Sequence, residues 1–226
     1  MENLVEMTSF EVSFNNLTEF HVDVKRWEKL VKLYLMYNNI KQYNEEAVWT
    51  HPNLNSLDLG NNVGINVPGE IRLPLLSYLQ LSHNQISLDL IFGQEQFPAL
   101  MSLYLNGNTL IKFPDQGLKS NLVKLGISRC RLRSLPSYLS DFSKLAYLDA
   151  RDNNITAVDD DLKVLISKNE IESYFSGNEK LCKSDKSLDC EPLCHKYCFS
   201  RKVANDGYCN VECNHEVCEY DGGDCI

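Results

Sequence analysis

Apolar and polar positions follow one another along this chain in a recurring order. The spacing L-x-x-L-x-L-x-x-N-x-L is carried by Leu30, Leu33, Leu35, Asn38 and Ile40, then by Leu76, Leu79, Leu81, Asn84 and Ile86, and again by Leu100, Leu103, Leu105, Asn108 and Leu110. Less regular copies use Met7, Phe10, Val12, Asn15 and Leu17; Leu54, Leu57, Leu59 and Asn62; Leu122, Leu125, Ile127, Cys130 and Leu132; and Leu145, Leu148, Ala150, Asn153 and Ile155. The ninth position therefore falls at residues 15, 38, 62, 84, 108, 130 and 153, in steps of 22 to 24. A period of this length predicts stacked units, none of which can bury its own core. In each unit the L-x-L element predicts a short strand with two apolar side chains turned inward. The Asn that follows predicts a buried amide satisfying backbone groups of the turn.

This pattern resembles the leucine-rich repeat family over roughly residues 1–190. The resemblance implies an α/β solenoid with a parallel β-sheet on its concave side. Segments such as Phe113-Pro114 and Leu135-Pro136 would return the chain along the convex side as short helical or irregular turns. The positions between the inward leucines then face the concave surface. They include Phe14, Lys32, Met36, Asp58, Gln80, His83, Lys124, Arg129, Asp149 and Arg151, together with the tyrosines Tyr34, Tyr37, Tyr78, Tyr104 and Tyr147. Exposed aromatic clusters occupy the centres of protein-binding surfaces, so these five tyrosines are the candidate contacts for a protein or peptide ligand. Cys130 stands where the other copies have Asn, and is expected as a buried thiol substituting as a weak donor.

Composition sharpens this picture. With 226 residues, 43% hydrophobic and 23% charged, the chain should be folded almost throughout. A net charge of −9 argues against nucleic acid or anionic lipid as the main partner, because phosphate recognition needs clustered Lys and Arg. The local group Lys124, Arg129, Arg131 and Arg133 is expected as a solvated face. No apolar run is long enough to span a membrane. No nucleophile elbow, phosphate loop, dinucleotide fingerprint or H-E-x-x-H motif is present, and no enzymatic activity is expected.

The cysteines are distributed unevenly. Eight of the nine lie beyond residue 180, a density typical of secreted disulfide modules. The start, Met1-Glu2-Asn3-Leu4, has neither the basic nor the apolar region of a signal peptide. The expectation that reconciles the two is a piece of a longer, exported protein, extracellular or at the cell surface. Two glycosylation sequons, at Asn16 and Asn154, are consistent with export.

The run from Ser176 to Cys182 is similar to the capping turn of extracellular leucine-rich repeats, which implies a Cys182–Cys190 disulfide over the open end of the solenoid. The remaining cysteines are Cys194, Cys198, Cys209, Cys213, Cys218 and Cys225, set among Asp206-Gly207-Tyr208-Cys209-Asn210 and Tyr220-Asp221-Gly222-Gly223-Asp224-Cys225. Residues 191–226 resemble the Notch-type (LNR) repeat, with Tyr220 where Notch receptors often have Trp. The resemblance implies a small, mostly irregular module with the pairs Cys194–Cys218, Cys198–Cys213 and Cys209–Cys225; sequence alone leaves 15 pairings open. A segment this poor in apolar residues needs staples or a metal to fold.

Asp221 and Asp224 are separated by two glycines, so their carboxylates can converge, and hard oxygen donors favour Ca2+. The family implies Asp206 and Asn210 as further ligands. A zinc site built on Cys194, Cys198, Cys209 and Cys213 with His195 or His215 is the competing arrangement; it would leave Cys218 and Cys225 unexplained. Three roles remain open for the module: a calcium-locked spacer beside a ligand-binding solenoid, a regulatory element masking a proteolytic site, and a passive structural cap.

Overall fold

In the computed structural model the described residues are 6–86, 97–110 and 121–190. They form an eight-stranded, all-parallel sheet built from β1 (Ser9–Glu11), β3 (Lys32–Tyr34), β5 (Ser56–Asp58), β6 (Tyr78–Gln80), β7 (Ser102–Tyr104), β8 (Lys124–Gly126), β9 (Tyr147–Asp149) and β10 (Glu172–Tyr174), adjacent in that order. A second, two-stranded sheet pairs β2 (Glu19–Phe20) with β4 (Gln42–Tyr43). Register is set by the repeat: Phe10, Leu33, Leu57, Leu79, Leu103, Leu125, Leu148 and Ser173 lie side by side across the large sheet. From Leu33 to Leu148 these central residues are fully buried, as are Leu35, Leu59, Leu81, Leu105, Ile127 and Ala150 two positions on. Burying a leucine contributes roughly 1.5–3 kcal/mol, and the stack shares one continuous core.

The eighth strand is one more than the spacing predicts. In β10 the central apolar position is occupied by Ser173 and the first motif position by Glu170, which hides the copy, yet Phe175 and Asn178 keep their places in the motif and are buried. Asn178 donates to the carbonyls of Ala150 and Phe175 at 2.9 and 2.8 Å, and its Oδ1 accepts from Ile155 N–H. Asn38, Asn62, Asn84, Asn108 and Asn153 do the same in their own repeats; Asn62, for example, donates toward Leu35, Leu59 and Gly60 carbonyls and accepts from Ile40 N–H. The chain can leave the sheet at the same place each time because one amide absorbs the backbone groups that strand pairing no longer reaches.

The turn that makes this possible has a fixed backbone signature. The residue just before each ladder position has positive φ: Phe14, Tyr37, Asn61, His83, Gly107, Arg129, Asp152 and Gly177, with φ between 51° and 78°. Left-handed backbone costs an ordinary residue roughly 1–2 kcal/mol, so the ladder hydrogen bonds hold bulky side chains in a conformation glycine would adopt freely.

Cys130 alters one rung. Its thiol is fully buried beside the carbonyls of Leu105 (3.2 Å) and Ser128 (3.3 Å). A thiol is a poor acceptor, and Leu110 N–H, which would be served by an Asn side chain, instead donates to the backbone carbonyl of Cys130 at 3.0 Å. The next residue, Arg131, has φ 60°, a left-handed conformation at a position where the other repeats show none. The peptide between the two has turned so that a main-chain oxygen replaces the missing amide oxygen.

On the opposite side from the large sheet run short helices, among them α1 (Glu45–Trp49), capped by Asn44 Oδ1 on Ala47 N–H, and α2 (Asp160–Ser167), capped by Asp159. The Trp49 indole donates to Tyr43 Oη, which donates to Asn66 carbonyl, so buried polar groups there are chained together. The final turn α3 (Glu179–Ser184) carries Cys182, bonded to Cys190 with their Cα atoms 5.6 Å apart. The loop so closed seats Leu188 in the core and lets Phe175 N–H donate to Asp189 carbonyl, continuing the ladder past the last strand. A cross-link of this loop length stabilises by roughly 2–3 kcal/mol, mainly by restricting the unfolded chain.

Candidate functional site

The open face of the large sheet presents the first and third residue of each strand, followed by two residues that complete the turn. Third-position side chains cap the strand ends. Asp58 Oδ1 accepts from Gly60 N–H at 2.9 Å, Gln80 Oε1 from Ser82 N–H at 2.8 Å and Asp149 Oδ1 from Arg151 N–H at 3.2 Å. Asn106, at the first turn position, accepts instead from Ser128 N–H and Oγ of the next repeat. These bonds occupy N–H groups that alternate with the ones pairing between repeats.

A hollow of about 620 Å³ opens on this face. Its rim is made of the left-handed residues Phe14, Tyr37, Asn61, His83, Arg129 and Asp152; its floor includes Asp58, Gly60, Gln80, Ser82, Asn106, Ser128, Asp149 and Arg151. The turn geometry that closes each repeat thus also aims the rim side chains. Small residues at Gly60, Ser82 and Ser128 leave the depth. A second hollow, of about 260 Å³, lies beside it among Glu11, Tyr34, Met36, Ser56, Asp58 and Tyr78.

The five predicted tyrosines are distributed unequally over this surface. Tyr37 is exposed and stacks on Phe14, ring centroids 4.7 Å apart and nearly parallel. Tyr78 lines both hollows and Tyr34 the smaller one, where its hydroxyl meets Ser56 Oγ at 3.0 Å. Tyr104 packs against Tyr78 (5.7 Å) and Tyr147 against Tyr174 (6.0 Å). Apart from Tyr37 they are half-buried rather than exposed, because side chains on adjacent short strands crowd one another. Burial accordingly pushes the phenols of Tyr78, Tyr104 and Tyr147 up.

Three charged residues expected on the open surface, Asp58, Asp149 and Arg151, are instead buried in it. Arg151 and Asp149 form a two-pronged pair, Nε to Oδ1 and Nη2 to Oδ2 at 2.8 Å each, with the guanidinium carbon 6.0 Å from the Tyr174 ring centre. Among the described residues Asp58 has no such partner, and burial raises its carboxyl to about 6, with Gly60 N–H opposing and Glu11 adding to the rise. At the rim Arg129 meets the exposed Asp152 at 3.0 Å. The rim residues Asn61 and Asp152 and the floor residues Ser82, Asn106 and Ser128 were not singled out by the repeat pattern. They occupy the seventh and eighth motif positions, the same places as Met36 and Tyr37, and could have been found by extending the face to the second and third residues past each strand.

Elsewhere, Asn16 and Asn154 are exposed, as a glycan would require. Burial pushes the Cys130 thiol up to about 12, so it stays protonated and unreactive. The expected calcium ligands Asp206, Asn210, Asp221 and Asp224, and the cysteines from Cys194 onward, lie outside the described residues. Among the described residues no group of three or more His, Cys, Asp or Glu could hold a metal ion, and no helix is long and apolar enough to cross a membrane.

Comparison with known proteins agrees with this architecture. Residues 6–63 match the leucine rich repeat family model and residues 188–226 the LNR domain model of Notch. The transforming growth factor beta activator LRRC33 of Danio rerio is 27% identical over 218 residues, covering 79% of this chain and 31% of that protein. Lumican of Bos taurus is 27% identical over 195 residues, 80% of this chain and 56% of its own length. The chain thus spans under a third of the first relative and little more than half of the other. Among solved structures, a Leptospira interrogans LRR protein superposes with a TM-score of 0.58 at 23% identity, covering 73% of this chain and 41% of that one, and shows the same fold.

Proposed function

We propose that this chain, a leucine-rich repeat solenoid followed by an LNR domain, is an extracellular, non-enzymatic recognition module whose open sheet face binds a protein or peptide ligand. The observation that carries this reading is the large hollow, because its rim consists of side chains aimed by the repeat turn and includes the exposed, stacked pair Phe14 and Tyr37. Exposed aromatic anchors beside a polar floor are what a protein interface needs at its centre. The disulfide cap and the cysteine density support export.

The solenoid with its cap would occupy residues 1–190 and the LNR domain residues 191–226, as a spacer held by three disulfides and one Ca2+. The donor set fits that ion: Asp206, Asp221 and Asp224 supply carboxylates and Asn210 an amide or main-chain oxygen, all hard ligands. Bound calcium would neutralise these converging carboxylates and lock a segment too small to fold on its own core.

Two experiments test the reading. Peptides selected on the intact, oxidised chain from a displayed random library should lose binding when Tyr37, Tyr78 and Tyr104 are replaced together; undiminished binding places the site off the sheet face. Calorimetry of the oxidised chain should show a C-terminal transition that chelator lowers and Asp221→Ala abolishes. Identical melting with and without chelator removes calcium from the proposal.

A further inference from the structure

The repeat places an aspartate at the same point of the sheet twice, and among the described residues only one of the two has a cation. Asp149 and Asp58 are both third strand residues, and each accepts the main-chain N–H two residues on. Asp149 then takes a guanidinium on both oxygens from Arg151. The residue equivalent to Arg151 in the earlier repeat is Gly60. Asp58 is 6% exposed; Gly60 N–H occupies Oδ1, and Oδ2 has no hydrogen bond or ion pair among the described residues.

Around Asp58 is a hollow of about 260 Å³ with aromatic walls, Tyr34 and Tyr78, a second carboxylate, Glu11, and the thioether of Met36. The adjoining larger hollow, which Asp58 also lines, has on its floor the Ser82 hydroxyl, buried and without a hydrogen-bond partner among the described residues. A carboxylate between aromatic faces with its second oxygen open suits a planar cation, which takes a two-pronged hydrogen bond and stacks on rings.

We propose that the hollow over Asp58 is a subsite for an arginine side chain presented by the ligand, in which the incoming guanidinium takes the place that Arg151 fills beside Asp149. The subsite rests on the sheet face being the ligand surface. It specifies the partner as a segment bearing an arginine that reaches Asp58. Glu11 adds attraction from β1, and burial keeps the Tyr78 phenol protonated; His83 stands on the rim of the larger hollow. With its carboxyl raised to about 6, Asp58 is mostly protonated at pH 5 and mostly ionised at pH 7.

The test is a titration of the isotopically labelled, oxidised 226-residue chain with Nα-acetyl-arginine amide, followed by amide NMR shifts. Resonances of residues 56–60 and 78–80 should move, with affinity about tenfold greater at pH 7 than at pH 5, following the ionised fraction. The glutamine analogue should do nothing there, and the lysine analogue should bind more weakly. Asp58→Asn, which keeps an acceptor for Gly60 N–H, and Gly60→Arg, which supplies the guanidinium internally, should each abolish the response. No shift at these residues at pH 7, an equal response to glutamine, or an undiminished one in Asp58→Asn overturns the subsite; lysine binding as well as arginine overturns its preference. Probe binding here together with unchanged peptide capture by the triple tyrosine variant breaks the broader reading and keeps the subsite. A silent probe beside intact, tyrosine-dependent capture does the reverse.

Discussion

Asp58 and Asp149 occupy one position of one repeat frame and have opposite circumstances. Near the C-terminal end the carboxylate is buried with its own guanidinium, and the pair forms part of the floor of the larger hollow. Nearer the N-terminus the same carboxylate is buried against Gly60 and tyrosines, and a second hollow adjoins the larger one there. A solenoid tolerates both because each repeat touches only its neighbours, so one copy can serve stability while another is left open for recognition. The difference lies in a single residue two positions past the strand, arginine in one copy and glycine in the other.

The comparison breaks most visibly at the closed site. Arg151→Ala leaves a buried carboxylate uncompensated and should destabilise the chain by about 3–5 kcal/mol in denaturant unfolding; adding Asp149→Asn should recover much of that loss. If Arg151→Ala unfolds at the wild-type midpoint, the guanidinium is not what compensates the buried carboxylate.

At the open site the sign reverses. The native carboxyl of Asp58 holds its proton to about 6 where the ordinary value is 3.8, so between those values the folded chain binds more protons than the unfolded one. Stability therefore falls as pH rises through that window, and Asp58→Asn should remove the fall, stabilising the chain at pH 7 by on the order of 1–3 kcal/mol. Matched unfolding curves at pH 4 and pH 7 measure it; an Asn variant less stable at pH 7 would contradict an unpaired buried charge.

Gly60→Arg converts the open site into the closed one. A Cβ at Gly60 would lie 3.3 Å from Asp58 Oδ1 and from Gln80 Cγ, both side-chain atoms able to give slightly. The variant should be neutral or stabilising by up to about 1–2 kcal/mol and should drop the carboxyl below its present value, measured by side-chain NMR titration. An unmoved Asp58 titration would show that the two sites are not equivalent.

The smallest effect concerns the rung between the two sites. Arg131→Gly relieves the left-handed backbone that accompanies Cys130 and should stabilise by less than about 1 kcal/mol. In a Cys130→Asn background, where Leu110 N–H regains a side-chain acceptor, the gain should vanish. A gain of equal size in both backgrounds would separate the turned peptide from the cysteine.

The repeat and its register were legible in the sequence because an L-x-L alternation with one inward amide leaves few other ways to bury those side chains. The eighth strand escaped because Ser173 replaces the central leucine while Asn178 still completes the ladder. The open face was only partly legible. Its tyrosines were named, and so were the rim residues Phe14, Tyr37, His83 and Arg129, but Asn61 and Asp152 were not, since nothing in residue type marks them as left-handed neighbours of one hollow.

By itself, then, the sequence determined the stack, its core and the cysteine-rich segment that follows, all consequences of spacing. The tertiary structure alone decided which charges are buried, which aspartate keeps a cation and where the surface opens. Those outcomes depend on what the neighbouring repeat places a few ångströms away, some 22 residues off in sequence, a distance at which local pattern carries no information about contact.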